Sequence, residues 1–597
     1  MSEITDRGSF LIRDIFLRDM RVCIFNSGAL PIVTMIDSST TAEDFITDAE
    51  YHNPWWSGTG GFDELRTVAE WKERSDLHGL LKVLDKAHDD DIYSLVHAIY
   101  GQTGIGKTTM LRQLIAALID NDILAYAPGD RDQSLVGSVS PRQILYLPLE
   151  ESLYHLETPE VAFDRLQSVI NYFDSHVAPR RGTKFIILDD IGALSFGEDT
   201  GPERLQELVD DRTYLFISGI VRPQVDVNTE SWRETVENVV GVFSMLPTKF
   251  IDAVKQGHVV DFEDEHAQAL AESLEHHQVN GLINRARKED LKQRAVGNMV
   301  KSLSKLYFDE LDSIDHDILH EAARAYLRRG GSFHSVETDM VRNDLVRSHF
   351  LLYLYKELAR YHSVQRPENL HRLGSLAASK AGEELRYTTL SEQLGVDRRT
   401  VDSYLSVLEG GLAVGQSHDF ALQRYRRTRL YLRDPRHVVL LSQRREHHGF
   451  ESYKSNGVLN AEFEYALART VGFDHAKRLA WSLPGESDQR LDVEYTETES
   501  GTVDYVLHGD GLVLPFVLSY QPYADGSEAT ALEFDPSAGS HFDESGEELR
   551  DLTYEAPYRF IVTDSLPREV HESSSLAVER DGKQLCYLPY WLFLLLA

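Results

Sequence analysis

The chain has 597 residues, and 61 lysines and arginines against 96 aspartates and glutamates give it a formal net charge of −35. Hydrophobic residues make up 42% of the sequence and charged residues 26%, which is ordinary for globular protein and excludes a disordered or fibrous chain. At roughly 150 residues per domain, the length predicts about four domains, each able to bury its own core.

The first 90 residues are predicted to form an N-terminal extension (1–90) that ends in a helical lead-in. The chain begins MSEITDRGSF, with no apolar run behind a basic segment, which argues against a secretory signal. Cys23 and Cys586 are the only cysteines and lie far apart in sequence, so one chain can build neither a disulfide framework nor a cysteine-based zinc site from them. A reducing, cytoplasmic location is therefore expected.

Residues 91–255 are predicted to form an α/β core around a glycine-rich loop. An apolar, β-branched run over residues 92–100 leads into GQTGIGKTT, and leucines and isoleucines then recur at helical spacing. Glycines let such a loop curl, so that its N–H groups and the positive end of the helix face one phosphate. The motif predicts nucleotide binding by nine consecutive residues, Gly101, Gln102, Thr103, Gly104, Ile105, Gly106, Lys107, Thr108 and Thr109.

Two residues of the loop and two acids further along the chain are predicted to carry the chemistry. Lys107 is placed to reach the β- and γ-phosphates and to act in catalysis, and Thr108 is placed to ligate Mg²⁺. Hydrolysis also needs a strand that ends in carboxylates. Residues 184–190, KFIILDD, supply Asp189 for the metal side and Asp190 to position the attacking water. The alternative is an ordinary buried strand that ends in a solvated turn.

A further apolar run over residues 213–219, TYLFISG, predicts a strand beside the one that carries the two acids. Ser218 stands at its end and either acts in catalysis at the nucleotide or only begins a turn. Arg222, just beyond the strand, either approaches a phosphate or faces solvent.

Residues 256–375 are predicted to be helical, because charged and apolar residues mix at short intervals with few glycines or prolines. His316 and His320 are one substitution short of the zinc motif H-E-x-x-H and would share one helix face. The glutamate that acts as base in that motif and a third ligand are both missing. An exposed helix is therefore expected there, and no metal site.

Residues 376–450 show the pattern of a helix-turn-helix. The stretch LSEQLGVD over residues 390–397 predicts a helix and a glycine-containing turn, with Asp397 as the N-cap of a second helix. Strands that would form a wing follow. In such folds the second helix enters the major groove of DNA, and here it begins with Arg398 and Arg399.

A basic segment lies within the same region. From Arg424 to Arg445 there are eight arginines and a single acid, Asp434, with tyrosines between them. In a chain with a net charge of −35, this segment is the strongest indication of nucleic-acid binding. The alternative is that these arginines pair with acidic surfaces of neighbouring domains.

Residues 451–597 are predicted to form the C-terminal domain. Its last segment, YLPYWLFLLLA, is the most apolar stretch of the chain but has about half the length that spanning a bilayer requires. We therefore expect this segment to dock onto the protein's own core, and we expect no membrane partner.

The order of these landmarks resembles that of predicted ATPases of the AAA+ superfamily from archaea and bacteria. The resemblance is carried by residues 53–56, 101–109, 186–190, 216–219, 245–252, 326–331, 390–397 and 430–434. It implies a P-loop NTPase core of α/β class, a helical lid over residues 256–375, a winged-helix-like domain and a C-terminal α/β nuclease-like domain. It also implies that Ser218 senses the γ-phosphate. Many AAA+-type ATPases have Glu where Asp190 stands, so the shorter side chain implies slow hydrolysis or compensation by water.

The C-terminal domain resembles the PD-(D/E)XK nuclease fold, in which a helix Glu, a strand Asp and a following Glu-x-Lys gather a metal and a water. Glu462 or Glu464 matches the helix acid, and Asp504 matches the strand acid. Val517 and Ser519 stand where that family has Glu and Lys, so the nuclease chemistry is expected to be lost. The three acids are then equally well explained as surface residues.

The acid excess, with 16 lysines against 45 arginines, resembles proteins of halophilic archaea. The main hypothesis is a Mg²⁺-dependent AAA+-type protein that binds and hydrolyses ATP and whose nucleotide state controls C-terminal DNA- or protein-binding domains. The alternative is a DNA-binding regulator or mobile-element accessory protein that uses ATP as a switch ligand with little turnover. The predicted partners are duplex DNA, an unidentified protein and a second copy of the chain.

Overall fold

The structure is a computed structural model. It describes residues 41–57, 62–69, 74–89, 95–120, 135, 137–150, 153–156, 158–194, 208, 210–219, 240–260, 265–276, 292–331, 339–359, 362, 364–421, 427–441, 461–482, 492–509, 512–520, 525–536 and 556–597. Within these residues lie three β-sheets and the helices that pack on them.

The first sheet has five parallel strands in the order β2-β3-β4-β1-β5. They are β1 (Leu95–Tyr100), β2 (Ile144–Pro148), β3 (Lys184–Asp189), β4 (Thr213–Gly219) and β5 (Val240–Ser244). Every residue of β2 and β3 is buried, as expected for a parallel sheet that is covered on both faces. The predicted α/β class is confirmed, and the sheet is consistent with a P-loop core.

Helices of the N-terminal half accompany this sheet. They are α1 (Ala42–His52), α2 (Phe62–Ala69), α3 (Ser75–Asp89), α4 (Lys107–Ile119) and α5 (Pro159–Tyr172), the last of which continues into a π-helical turn over Phe173–Val177. The Asn53 amide donates to the carbonyl of Tyr146 and accepts from its N–H, each over 2.7 Å. Trp56 donates to the carbonyl of Ile144 over 2.7 Å. Residues 53–56 therefore anchor the N-terminal helices on β2.

The middle of the chain is helical. It contains α6 (Phe250–Lys255), α7 (Glu265–His276), α8 (Lys292–Lys305), α9 (Ser313–Arg329), α10 (Asp339–Leu352) and α11 (Glu368–Ser379). α8 and α10 run on into π-helical turns over Leu306–Glu310 and Tyr353–Leu358. The second of these turns reaches the glycine-rich loop.

The expectation that His316 lies on an exposed helix is wrong, because its side chain is half-buried. Its ring stacks on Tyr307 with 4.1 Å between ring centroids, and Trp591 packs against it at 5.5 Å. The local pattern could not show this, because Trp591 comes from the C-terminal end of the chain. Neither His316 nor His320 belongs to a cluster of three possible metal ligands among the described residues.

A small antiparallel sheet follows, in the order β6-β8-β7, with β6 (Glu384–Arg386), β7 (Val414–His418) and β8 (Arg427–Leu432). Between β6 and β7 lie α12 (Tyr387–Leu394) and α13 (Arg398–Gly410), and α14 (Pro435–Leu441) follows β8. The predicted N-cap is confirmed, because the Asp397 carboxylate accepts from the N–H of Thr400 over 2.9 Å.

The C-terminal residues form a mixed sheet in the order β13-β14-β12-β11-β10-β9. Its strands are β9 (Asp492–Thr498), β10 (Gly501–Gly509), β11 (Leu512–Ser519), β12 (Arg559–Thr563), β13 (Ala577–Arg580) and β14 (Lys583–Pro589). The accompanying helices are α15 (Ala461–Ser482), α16 (Ser527–Glu533), α17 (Arg568–Ser573) and α18 (Tyr590–Leu595).

The apolar C-terminal segment is buried in the protein, which confirms the predicted docking. Every residue of α18 is buried, and the Tyr590 hydroxyl donates to the carbonyl of Ala468 over 3.0 Å. In the part of the chain that the structure describes, no helix combines the length and the apolar character needed to cross a membrane.

Two large hydrophobic cores meet next to the glycine-rich loop. One surrounds the first sheet, and the other joins the helical middle, the small sheet and the C-terminal sheet into one continuous cluster. Between them lies a small cluster of Tyr100, Leu246 and Leu412, against which Trp481 packs. Tyr100 ends β1, so the later parts of the chain touch the first sheet where the loop begins.

Candidate nucleotide-binding site

The glycine-rich loop leaves β1 after Tyr100 and enters α4 at Lys107. Gly104 and Gly106 have φ angles of 82° and 95°, a left-handed conformation that strains other residues. At Gly101 the restriction is space, because a Cβ there would lie 2.3 Å from the carbonyl oxygen of Met245. The glycines are therefore required by the curl through which such a loop presents its N–H groups to an anion.

Lys107 lies inside the loop at the N-terminus of α4. Its residue is 6% exposed, and its ammonium donates to the carbonyls of Gly101 and Gln102 over 2.9 and 3.0 Å. Thr108 and Thr109 follow in the first turn of the helix and are half-buried. The lysine and both hydroxyls therefore gather at a helix N-terminus, where backbone N–H groups and the helix dipole attract anions.

Arg74, which the sequence did not single out, bonds to the backbone of the loop although it is not part of it. Its guanidinium donates to the carbonyl of Ile105 over 3.0 Å and to that of Leu246 over 2.6 Å. Asp76 accepts from the same guanidinium over 2.9 Å. No local motif marks this contact, because Arg74 precedes α3 and its acceptors lie far along the chain.

The two predicted acids stand at the end of β3, beside Ser218 on the neighbouring strand β4. The Ser218 hydroxyl donates to one carboxylate oxygen of Asp189 and accepts from the N–H of Asp190 over 2.9 Å. The other oxygen of Asp189 accepts from the hydroxyl of Tyr146 over 3.0 Å. Ser218 therefore links both acids, and the buried Asp189 is held at both oxygens.

Asp190 adopts a φ of 58°, which is uncommon for a residue with a side chain. Burial raises the pKa of its carboxyl to about 7, and the nearby ammonium of Lys107 opposes that rise. Asp189, Glu150 and Glu357 are also close enough to raise this pKa. The effect of Lys107 indicates that the loop and the end of β3 share one electrostatic environment.

Later parts of the chain touch the loop directly. The Thr103 hydroxyl donates to the carboxylate of Glu357 in the turn Tyr353–Leu358. Gln102 donates to the carbonyl of Leu412 over 2.6 Å, and the Tyr353 hydroxyl donates to the carbonyl of Gly411. The sequence indicated Gln102 and Thr103 as loop residues but gave no sign of these partners.

The two arginines at the start of α13 are exposed. The Arg398 guanidinium lies 5.1 Å from the ring centroid of Tyr387 on the preceding helix. Because both residues stand in the first turn of the second helix, their charges lie at one end of the α12–α13 pair.

The prediction of a basic surface from Arg424 to Arg445 is wrong for the arginines of this segment that the structure describes. Arg429, Arg433 and Arg436 are 3%, 5% and 4% exposed, respectively. Arg429 pairs with Glu497, Arg433 lies 2.7 Å from Asp474, and Arg427 lies 3.7 Å from Glu384. The alternative applies to Arg429 and Arg433, because Glu497 and Asp474 belong to the C-terminal part of the chain, whereas Glu384 lies on β6, next to Arg427 in the same small sheet. Arg424, Tyr425, Arg426, Arg444 and Arg445, and also Arg222, lie outside the described residues.

Two of the predicted C-terminal acids are buried and paired, so a surface location is wrong for them. Asp504 is 1% exposed, lies 3.1 Å from Arg469 and accepts from the N–H of Leu518 over 2.8 Å. Glu464 accepts from Arg324 and Tyr520 over 3.2 and 2.8 Å. Glu462 is exposed. Both contacts of Glu464 are made by one carboxylate oxygen, Oε1.

Comparisons with known proteins give partial likenesses. A family model described as "Domain of unknown function (DUF8612)" matches residues 320–439. No curated protein matches the chain. The ORC1 protein of Aeropyrum pernix in complex with DNA is 14% identical over 62% of this chain and 91% of its own, with a TM-score of 0.24. The ORC2 protein of the same organism, in ADPNP–ADP complexes, is 13% identical over 62% and 92%, with a TM-score of 0.29. Drosophila ORC bound to DNA is 12% identical over 73% and 99%, with a TM-score of 0.20. Superpositions this loose assign no role to any residue of this chain.

Proposed function

We propose that the protein is a Mg²⁺-dependent ATPase of the AAA+ type, which binds and hydrolyses ATP at the glycine-rich loop. The observation that carries the proposal is the hydrogen-bonded link from Ser218 to Asp189 and Asp190. Ser218 lies on β4, which pairs with the strand that leads into the loop, and the two acids lie at the end of β3 on the other side of β4. A chance glycine motif would not be expected to fold beside a carboxylate pair that is aligned in this way.

The residues present fit a nucleotide and its metal. The loop has glycines where the backbone must approach a phosphate closely, and the buried Lys107 is bonded only to uncharged carbonyls of the loop in the contacts described above. Mg²⁺ prefers oxygen ligands. The Thr108 hydroxyl and a remaining lone pair of the Asp189 carboxylate would hold it. When bound, Mg²⁺ neutralises phosphate charge.

Each side chain then has a distinct task. Lys107 would exchange its bonds to the loop carbonyls for bonds to the β- and γ-phosphates. Asp190 would orient the attacking water and accept its proton, for which a pKa near neutrality is suited. Ser218 would keep the two acids aligned, and it would sense the γ-phosphate by exchanging one of its present hydrogen bonds.

The nucleotide state would control the C-terminal parts of the chain through contacts made by the loop itself. Gln102 and Thr103 bond to Leu412 and Glu357, which belong to the turn after α13 and to the helical middle of the chain. A phosphate that rearranges the loop would change both contacts. We also propose that the protein binds an unidentified protein partner and associates with a second copy of itself.

The test is turnover of Mg·ATP in molar salt by the wild type and by Lys107→Ala. We expect the variant to lose activity on the order of 100-fold, because it lacks the positive charge that stabilises the transferring phosphoryl group. Lys86→Ala, which removes an exposed lysine of α3, is the matched control and should retain activity. Failure of the wild type to bind any nucleotide would contradict the proposal.

A second candidate is a DNA-binding regulator or mobile-element accessory protein in which ATP acts as a switch ligand. It is favoured by the exposed Arg398 and Arg399 at the start of α13, in an arrangement of two helices and antiparallel strands that resembles a winged helix. Titration of duplex DNA at several salt concentrations tests it, because each lost phosphate contact lowers the salt dependence. The double variant R398Q/R399Q should bind more weakly than Arg372→Gln, an exposed control on α11. Equal binding would remove this candidate.

A further inference from the structure

Glu357 reaches the glycine-rich loop from outside the α/β core. It lies in the π-helical turn Tyr353–Leu358, and its carboxylate accepts a hydrogen bond from the hydroxyl of Thr103. The two residues are 254 positions apart in sequence. A carboxylate supplied by the helical middle of the chain therefore lies directly on a loop whose glycines and lysine are suited to an anion.

Glu357 is close enough for its charge to interact with those of Lys107 and Asp190. Burial raises the pKa of the Glu357 carboxyl, while the bond from Thr103 and the ammonium of Lys107 lower it. Glu150 raises the same pKa, and both glutamates also raise the pKa of Asp190. The carboxyl groups of Glu357, Glu150 and Asp190 are thus close enough to influence one another.

The main chain that carries Glu357 is held against the loop by its neighbours. The buried Tyr353, one turn earlier, donates to the carbonyl of Gly411. Lys356 lies 3.4 Å from Glu150, which follows β2. The buried bond of Tyr353 holds the turn next to the loop, whereas the exposed pair of Lys356 and Glu150 adds little.

We propose that Glu357 is a specificity residue of the nucleotide site, which opposes the third phosphate and so lowers the preference of the loop for a nucleoside triphosphate over a diphosphate. This inference rests on the proposed function. The lysine of such a loop meets the β- and γ-phosphates. A γ-phosphate therefore brings negative charge close to Glu357, in a partly desolvated site where like charges repel strongly. A diphosphate ends one phosphate earlier and meets less of that repulsion.

The test compares dissociation constants for ATP and ADP in the presence of Mg²⁺, measured by calorimetry on the full chain at one salt concentration. In Glu357→Gln the amide oxygen still accepts from Thr103, so the fold of the loop is kept while the charge is removed. We expect ATP to bind about tenfold more tightly to this variant, which corresponds to about 1.4 kcal/mol, and ADP to change by less than about threefold. Glu368→Gln removes the same charge at the exposed start of α11 and should change neither constant.

The possible outcomes separate this inference from the function on which it rests. Nucleotide binding with the same ratio of ATP to ADP affinity in E357Q and wild type would overturn the inference alone. Weaker ATP binding by E357Q would also overturn it, because Glu357 would then assist the metal or the nucleotide. If neither protein bound either nucleotide, the proposed function would fail and the inference with it. A wild type that binds nucleotide, together with ATP binding that is strengthened more than ADP binding in E357Q, would support both.

Discussion

Asp189 and Asp190 are neighbours in sequence but are held differently. Both carboxylate oxygens of Asp189 accept hydrogen bonds, one from Ser218 and one from Tyr146. Asp190 is attached to Ser218 through its backbone N–H, and its side chain has a pKa raised by burial. Ser218 therefore contacts both acids, whereas Tyr146 contacts one of them. Removing the Tyr146 hydroxyl therefore disturbs Asp189 alone, whereas removing the Ser218 hydroxyl disturbs both acids.

Ser218→Ala is expected to lower the kcat for ATP on the order of tenfold with little change in nucleotide affinity, because a misplaced catalytic carboxylate slows chemistry more than binding. Tyr146→Phe is the matched variant, since it removes one hydroxyl from Asp189 and leaves the contact to Asp190 intact. Steady-state kinetics with Mg·ATP measure both variants. Equal losses of kcat would show that Ser218 acts through Asp189 alone.

His475 is a buried histidine that is satisfied only in its neutral form. Its residue is 1% exposed, its Nε2 accepts from the N–H of Phe250 over 3.3 Å, and its Nδ1 donates to the carbonyl of Val471 over 2.9 Å. Burial lowers the pKa of His475 to about 4. The unfolded chain takes up this proton near pH 6.5. The stabilisation is therefore complete above about pH 6.5 and is lost as the pH falls toward 4.

From His475 alone, we expect the free energy of unfolding to be about 2 kcal/mol lower at pH 5 than at pH 7. His475→Gln should remove about that part of the pH dependence, because an amide can donate and accept in place of the ring without taking up a proton. Urea unfolding at the two pH values measures the difference. His571→Gln, at an exposed position of α17, is the control. An unchanged pH dependence in His475→Gln would contradict the expectation.

The loop residues could be predicted because their conformation depends on consecutive positions. Arg74 and Glu357 could not be predicted in this way. Arg74 contacts a carbonyl 172 positions away, and Glu357 accepts from a residue 254 positions away. Nothing in the local pattern around either residue distinguishes it from an ordinary surface charge.

At the scale of elements, the composition of the arginine-rich segment does not determine whether its charges face solvent or pair with other elements. Asp397 was correctly predicted to cap α13, because capping is decided within one turn. The arginines from Arg424 to Arg445 predict a basic surface, but Arg429 on β8 and Arg433 just after it pair with Glu497 on β9 and Asp474 on α15. Buried charges need partners, and the sequence does not show which later element supplies them.

The turn after α13 offers a test of the contact between elements next to the loop. A Cβ at Gly411 would lie 2.4 Å from the Tyr353 hydroxyl oxygen and 2.6 Å from a methyl carbon of Leu358. Gly411 has a φ of −78°, so its backbone conformation suits any residue. At the preceding Gly410, a Cβ would meet nothing within 4 Å. The two adjacent glycines therefore differ in the space around them.

Gly411→Ala is expected to lower the free energy of unfolding by about 1–3 kcal/mol, because the added methyl group forces the turn away from the segment that carries Tyr353. Gly410→Ala is the control and should be neutral or stabilising by up to about 1 kcal/mol, since alanine loses less conformational entropy in a helix. Urea unfolding compares the two variants with the wild type. Equal stability of the two variants would show that this turn is loosely packed.

At the scale of the whole molecule, the glycine-rich loop begins at the contact between the two large hydrophobic cores. The core that joins the helical middle, the small sheet and the C-terminal sheet meets the first core at Tyr100, Leu246 and Leu412. Arg478 adds a polar contact at the same place, because it donates to the carbonyl of Pro247 over 2.6 Å. The start of the loop therefore lies where the two cores touch.

The net charge of −35 predicts how the whole molecule responds to salt. Several arginines are turned inward, including Arg433, which lies 2.7 Å from the buried Asp474, so they do little to offset the acidic surface. Repulsion among exposed acids destabilises the compact state and is screened by salt, whereas buried pairs are screened much less. The Debye length falls from about 10 Å at 0.1 M salt to about 3 Å at 1 M.

We therefore expect the midpoint of thermal unfolding to rise by roughly 2–4 °C between 0.1 M and 1 M NaCl, which corresponds to a few kcal/mol at an unfolding entropy of about 2 cal/mol/K per residue. Differential scanning calorimetry at the two concentrations measures the rise. Sorbitol at matched osmolality is the control, because an uncharged solute changes water activity without screening charge. A rise of the same size in sorbitol would attribute the effect to hydration, and no rise in NaCl would mean that repulsion among the surface acids does not limit the stability of the fold.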